Sequence, residues 1–437
     1  MERNIYKNLI EWKQRKDHKP LVLLGARQVG KTWILKEFGK AEYTNFVYIN
    51  CDKNEKLHNA FYDFDTDRLL RIFAAISGTS ITPQNTLIFI DEIQEIPAAI
   101  TSLKYFAEDA PEYDIVVAGS LLGLSSHVGT GYPVGKVEEL TLYPLSFHEF
   151  LQACGEENLV EYMGYHYWND MRILNYKYID LLRQYYFVGG MPSVVSKYAE
   201  SRDLKQVRRI QRQILKDYDK DFSKHVPQKL LPKVHLIWKS IPSQLAKENK
   251  KFIYGNIKTG ARARDFEDAI QWLVEAGLVH KIQRVNDIKM PLNFYVDWGS
   301  FKLFVSDLGL LGAMVDAPAD QVLIDNNAFI EYKGAFTEQF VAQTLVATGV
   351  LPHYYTNDKS TLEVDFVAQM DKVYPIEVKA EKNLRAKSLK SVVSKGDDLI
   401  GWRFSMADYE EQDWVINVPL YAVEEWMLSY GGRNGRE

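Results

Sequence analysis

Between Leu21 and Ser120 the chain alternates short apolar runs with amphipathic stretches: LVLLG at 21–25, FVYIN at 46–50, TLIFID at 86–91 and YDIVVAGS at 113–120. Runs this continuously apolar suit strands buried on both faces, and their separation by helix-length segments predicts a parallel α/β sheet. Polar turns such as SGTSITPQN (77–85) lie between them. After about residue 150 the pattern turns helical. NYKYIDLLRQYYFVGGMP predicts a helix stopped by Gly189, Gly190 and Pro192, and the long basic helix DLKQVRRIQRQILKDYDKDFSKH follows. Residues 229–286 read as short helices ending in the extended run LVHKIQRV, a pattern that suits a small winged-helix module. From about 328 a helix (GAFTEQFVAQTLVATG) precedes the strand candidates HYYTN, LEVDFVAQ and VYPIEVKA, a second α/β unit.

Composition narrows the class. At 437 residues the chain exceeds what one hydrophobic core usually organises, so two or three domains are expected. Hydrophobic residues at 46% and charged residues at 25% exclude a disordered or fibrous chain. No apolar run approaches the roughly 18 residues that span a bilayer, and MERNIYKNLIEWKQRKDHKP scatters charge where a secretory signal carries an apolar segment. A cytoplasmic location is the expectation. Cys51 and Cys154 are the only cysteines and lack metal-ligand spacing, so structural thiols are expected.

The sharpest chemistry follows the first strand. Gly25-Ala26-Arg27-Gln28-Val29-Gly30-Lys31-Thr32 reads G-x-x-x-x-G-K-T between the strand LVLL and the helix-compatible WILKEF, the context that a phosphate loop requires. Glycines let backbone N–H groups wrap phosphates at a helix N-terminus, Lys31 reaches the β and γ groups of ATP, and Thr32 ligates Mg²⁺. The run TLIFIDEIQ supplies a second, independent signal. Its strand ends in Asp91, which can hold Mg²⁺, and Glu92, which can polarise the attacking water. Ser120, at the end of IVVAGS, could sense the γ-phosphate or orient that water; a turn or cap is the competing reading.

These residues resemble an AAA-type predicted ATPase family of bacteria and archaea whose phosphate loop reads G-x-R-Q-V-G-K-T. Here GARQVGKT is followed by DEIQ, AGS and YPLSFHEFL in the expected order. The similarity runs on through FVGGMPSVV, KSIPSQLAKENKKFIYGNI, FVSDLGLLGAMV and EVDFV, nearly the whole chain. The resemblance implies that a G-x-P turn in a lid approaches the adenine, which falls on Gly190-Met191-Pro192. Where many members of the family carry Arg before the YPLSF run, this chain has Lys136, a point charge without the guanidinium fork.

A second constellation lies near the C-terminus: Glu338 on a helix, Asp365 in LEVDFV, and Glu377 and Lys379 in PIEVKA. An acidic residue, a spacer and Glu-x-Lys on adjacent strands form the pattern of the restriction-endonuclease-like fold. Asp365 and Glu377 could share one Mg²⁺, and alternation puts Glu377 and Lys379 on one face. The competing reading is a structural E-x-K, and the resemblance to a family with a nuclease-like C-terminal domain shifts the balance. Arg202, Lys205, Arg208, Arg209, Arg212 and Lys216 recur at helical spacing, a stripe that could track DNA phosphates or be a solvated face.

The expected organisation is a P-loop ATPase domain (1–160), a helical lid (161–225), a winged-helix-like region (226–315) and a nuclease-like α/β domain (316–430). The leading functional expectation is a Mg²⁺-dependent ATPase acting as a nucleotide-driven switch. The alternatives are an ATP-gated DNA or RNA nuclease, and a platform for DNA or another protein in which ATP is a structural ligand.

Overall fold

The computed structural model describes residues 2–52, 55–119, 131–247, 250–323, 330–357, 362–382, 384–396 and 399–431. The chain divides into two compact units, Glu2–Tyr143 with Glu275–Leu278, and Pro144–Val274 with Val279–Glu437.

In the first unit the apolar runs become β1 (Leu21–Leu24), β2 (Asn45–Asn50), β3 (Thr86–Asp91) and β4 (Asp114–Ala118), joined by β5 (Glu138–Thr141). They form one parallel sheet in the order β2-β3-β4-β1-β5. Every residue of β3 and β4 is buried, as expected for central strands covered on both faces. Helix α1 (Ile5–Gln14) precedes β1, and helices α2 (Lys31–Glu42), α3 (Thr66–Ser77) and α4 (Pro97–Asp109) connect the strands. Asp65 caps α3 by accepting Arg68 N–H at 2.9 Å, and Pro97 opens α4, where a missing N–H costs nothing. Leu69 and Phe73 of α3 and Ile100, Leu103 and Phe106 of α4 close over Val47, Ile49, Ile88 and Ile90. Because the strands are parallel, the C-terminal ends of β1 and β3 open on the same edge. Ligands in open α/β sheets bind at that edge.

The second unit begins as helices. Ser146 and Glu149 form a reciprocal capping box on Phe147–Ala153. The helix Asn175–Val188 stops at Gly189, whose φ is 73°, and Pro192 opens the next helix, Pro192–Ser201. The long helix Leu204–His225 follows, then Leu231–Leu245 and Ala263–Glu275. An eight-stranded mixed sheet runs β12-β13-β11-β10-β9-β8-β6-β7. Its strands are β6 (Val279–Val285), β7 (Val296–Val305), β8 (His353–Thr356), β9 (Glu363–Gln369), β10 (Val373–Val378), β11 (Gly401–Ser405), β12 (Glu410–Gln412) and β13 (Val415–Pro419). The extended run LVHKIQRV after the short helices is present as β6, and with β7 it makes an antiparallel pair. It is not a free hairpin, because β6 also pairs in parallel with β8 at Arg284↔Tyr354 and Val285↔Tyr355 and so extends the C-terminal sheet. An isolated two-stranded ribbon is marginal in water, and joining a larger sheet satisfies its inner edge.

Both cysteines are free, and burial pushes the Cys51 thiol up to about 12, which fits a structural role. Among the described residues no helix is long and apolar enough to cross a membrane.

Candidate nucleotide site

The loop after β1 is built from positions that ordinary residues fill poorly. Gly25 has φ 137°, and a Cβ there would lie 2.2 Å from the Leu142 carbonyl oxygen, so only glycine lets the loop pass. Gly30, at φ 100°, is the N-cap of α2. Gln28 also holds a left-handed conformation at φ 69°. Arg3 ties the loop from outside, donating to Val29 O at 3.0 Å and to Tyr143 O at 2.6 Å.

Lys31 is the first residue of α2 and is 8% exposed. Its ammonium donates to the carbonyls of Gly25 (2.6 Å) and Ala26 (2.8 Å), folding back over its own loop. Burial pulls its pKa down to about 8, with Glu92 and Asp91 opposing and Arg27 reinforcing that shift. Thr32 Oγ1 lies 3.0 Å from Asp91 Oδ2 and 3.3 Å from Oδ1. Asp91, at the tip of β3, is 4% exposed, and burial raises its carboxyl while hydrogen bonds from Tyr48 and Thr32 draw it back. It also accepts from Tyr48 Oη at 2.9 Å and from Glu92 N–H at 3.1 Å. Glu92 turns off the strand in a left-handed conformation, φ 51° and ψ 41°, and Gln94 Nε2 donates to its Oε2 at 2.7 Å. Left-handed backbone in a non-glycine residue is uncommon and is held by its surroundings.

The sheet thus brings Lys31, Thr32, Asp91 and Glu92 together from two motifs 59 positions apart. Hydroxyl and carboxylate oxygens are the hard donors Mg²⁺ takes, and a converging Thr32–Asp91 pair beside a phosphate loop leaves the remaining positions to phosphate and water. That donor set fits Mg²⁺. Among the described residues no group of three or more His, Cys, Asp and Glu could hold a metal. Tyr48, Gln94 and Arg3 were not singled out from the sequence: Tyr48 sits in an apolar run and Arg3 precedes the first strand. Ser120 lies outside the described residues; the strand leading to it ends at Ala118, paired with Asp91. Lys136 places its ammonium 2.9 Å from Glu108 Oε1 on the surface of the first unit.

Pro192 belongs to the second unit. In the turn before it, Gly190 N donates to Asp307 Oδ2 at 2.6 Å, its carbonyl accepts Leu145 N at 2.7 Å, and a Cβ there would meet Leu145 O at 2.1 Å. Asp307 is fully buried and burial lifts its pKa to about 6.

The C-terminal constellation is also in the second unit and is rich in ammonium partners. Glu338 pairs with Lys250, and its other oxygen lies 3.8 Å from Lys302, which donates to Glu363 at 2.8 Å. The carboxylates Glu338, Glu363 and Asp365 hold the buried Lys302 well above the usual lysine range despite its desolvation. Asp365 accepts Val378 N–H at 2.7 Å, beside the strand that carries Glu377, and burial together with Glu338 pushes its carboxyl up. Glu377 accepts Leu389 N–H at 3.2 Å and meets Lys379 at 2.5 Å. Lys250, Lys302 and Glu363 were not foreseen.

The basic stripe is partly engaged: Lys205, Arg209 and Lys216 on the helix Leu204–His225 are exposed, and the other three members meet neighbouring groups. Arg208 is buried, donating to Ala317 O at 2.8 Å with its guanidinium 4.4 Å from the Phe187 ring. Arg212 meets Asp316 at 2.8 Å, and Arg202 donates to Cys154 O at 3.1 Å.

Residues 17–151 match the family model of an AAA domain, 179–321 that of a domain of unknown function (DUF8612), and 333–422 that of a second domain of unknown function (DUF4143). No curated protein matches the chain. Among solved structures it is similar to the Walker-type ATPase PABY2304 of Pyrococcus abyssi, at 13% identity and a TM-score of 0.45 over 72% of this chain and 95% of that one. It is also similar to the ORC1 protein of Aeropyrum pernix in complex with DNA, at 14% identity and a TM-score of 0.28 over 73% and 93%. A third is Cdc6p from Pyrobaculum aerophilum, at 12% identity and a TM-score of 0.27 over 72% and 92%. The nuclease-like fold of the C-terminal region remains an expectation from resemblance, since the family matched there has no assigned function. Residues 17–151 therefore form an AAA domain, which this chain carries ahead of two domains of unknown function.

Proposed function

We propose that the chain binds ATP with Mg²⁺ on the loop Gly25–Thr32, hydrolyses it, and works as a nucleotide-driven switch. The observation that carries this reading is the convergence of Thr32 Oγ1 on Asp91 at 3.0 Å, with Lys31 one residue away and Glu92 turned off the strand end by its left-handed backbone. Backbone N–H groups of the loop and the N-terminus of α2 receive the phosphates. Lys31 leaves the Gly25 and Ala26 carbonyls and takes up the β and γ oxygens. Thr32 and Asp91 would hold Mg²⁺, which when bound neutralises charge on the β and γ oxygens. Glu92 accepts a proton from the attacking water, whose oxygen bonds the γ-phosphorus as the bond to the ADP oxygen breaks, giving ADP and phosphate. Gln94 holds the Glu92 carboxylate in place for that transfer.

The C-terminal carboxylates support a nuclease reading less well, because Lys250, Lys302 and Lys379 already neutralise Glu338, Glu363 and Glu377. The test is a panel of wild type, Lys31→Ala and Glu92→Gln, assayed for nucleotide binding and phosphate release. Lys31→Ala should lose binding, and Glu92→Gln should bind ATP while turnover falls by about 10²–10⁴. ATP bound by the wild type and never hydrolysed would refute the enzymatic part and favour a structural nucleotide.

A further inference from the structure

A strand that carries none of the motif residues, β2, also contacts the candidate metal-holding carboxylate. Along β2 the side chains alternate: Val47 and Ile49 enter the core, and Tyr48 and Asn50 share the other face. The Tyr48 ring packs against Phe89 with centroids 5.4 Å apart and lies under the Lys36 ammonium of α2, 3.7 Å from the centroid. Ring and cation together fix the phenol on three sides, counting the strand itself.

The hydroxyl at the end of that ring then has little freedom. It lies 2.9 Å from Asp91 Oδ2, and Asn50 Nδ2 donates to it at 3.1 Å. A phenol has one proton to give, and with Asn50 donating to its oxygen that proton goes to Asp91. The parallel register, with Asn50 opposite Asp91, sets this geometry through the backbone. Among the described residues the carboxylate's donors are the hydroxyls of Tyr48 and Thr32 and the N–H of Glu92. The Thr32 oxygen is the one that the nucleotide-bound metal would claim. What then holds the Asp91 carboxylate in a single rotamer is Tyr48 on Oδ2 and Glu92 N–H on Oδ1.

We propose that Tyr48, oriented by Asn50 and Lys36, is a positioning residue that holds the Asp91 carboxylate for the divalent cation accompanying ATP. The inference rests on the ATP-binding reading above. An outer partner of this kind contributes roughly 10–100-fold to metal affinity. Tyr48→Phe removes one oxygen and keeps the ring, its stacking on Phe89 and its contact with Lys36, so it isolates the hydroxyl.

The experiment titrates Mn²⁺ into the full chain loaded with a non-hydrolysable ATP analogue, following free Mn²⁺ by electron paramagnetic resonance, with ATP affinity in EDTA measured in parallel. Tyr48→Phe should weaken Mn²⁺ binding about tenfold and leave metal-free ATP affinity within about twofold of wild type. Asn50→Ala, which removes the donor that orients the hydroxyl, should shift Mn²⁺ binding the same way and by less. Wild-type Mn²⁺ affinity in both variants would overturn the proposal, as would an equal loss of metal-free ATP affinity, which marks general damage to the loop. A wild-type chain that binds no ATP would instead overturn the reading on which the proposal rests, so the two failures are distinguishable.

Discussion

Raising the pH should weaken nucleotide binding through one group, Lys31. Its ammonium is buried on two backbone carbonyls, and its pKa is pulled from 10.5 to about 8. A shift of that size corresponds to roughly 3 kcal/mol held against the charged form in the free protein. Nucleotide phosphate favours the ammonium, so binding takes up a proton wherever the free protein has lost it. Below pH 8 the lysine is already charged and affinity should be flat. Above pH 8 each further unit should approach a tenfold loss, giving about tenfold weaker binding at pH 9 than at pH 7. Neighbouring groups leave this window clear: burial pushes both Tyr48 and Cys51 up to about 12. The assay is equilibrium binding of a fluorescent ATP analogue in EDTA, which removes metal hydrolysis as a variable. Lys31→Arg stays charged throughout and should show no such fall. A wild-type affinity that is flat from pH 7 to 9.5, or a Lys31→Arg variant that falls in parallel, would refute the reasoning.

Two predictions concern the second unit. Gly190→Ala would place a Cβ 2.1 Å from Leu145 O and 2.7 Å from Leu145 N, both backbone, and should destabilise the unit by about 1–3 kcal/mol or more in urea unfolding; an unchanged midpoint would show that the turn can widen. Lys302→Met would strip Glu363 and Glu338 of a fully buried ammonium and should cost about 3–5 kcal/mol in the same assay at pH 7, far above the effect of losing a surface ion pair. A loss under about 1 kcal/mol would mean that Lys250 alone balances the cluster.

The parallel sheet and the phosphate loop were legible because both depend on short-range signals. Apolar runs of strand length read as buried strands, and Gly25 and Gly30 are demanded by local backbone geometry. What stayed hidden depends on partners far along the chain. Tyr48 in FVYIN looks like another core aromatic until the register sets β2 beside Asp91. Lys302 in FKLFV reads as the solvent-facing member of an alternating strand, yet it is buried because Glu363 and Glu338 meet it from elsewhere in the fold. The basic stripe is mixed in the same way: Ala317, Asp316 and Cys154 accept from or pair with three of its arginines, while Lys205, Arg209 and Lys216 stay exposed. Strand β6 was legible as the extended run LVHKIQRV, but its pairing with β7 and its continuation into the C-terminal sheet were not, since strand partners are not written in local sequence.

Phosphate release from ATP by the purified full chain, with Mg²⁺ and with wild type and Glu92→Gln side by side, tests the central claim most directly. The account predicts turnover by the wild type and ATP bound but unhydrolysed by Glu92→Gln. Equal phosphate release by the two proteins would contradict the placement of Glu92 as the residue that activates water, and no release by either would contradict the ATPase itself.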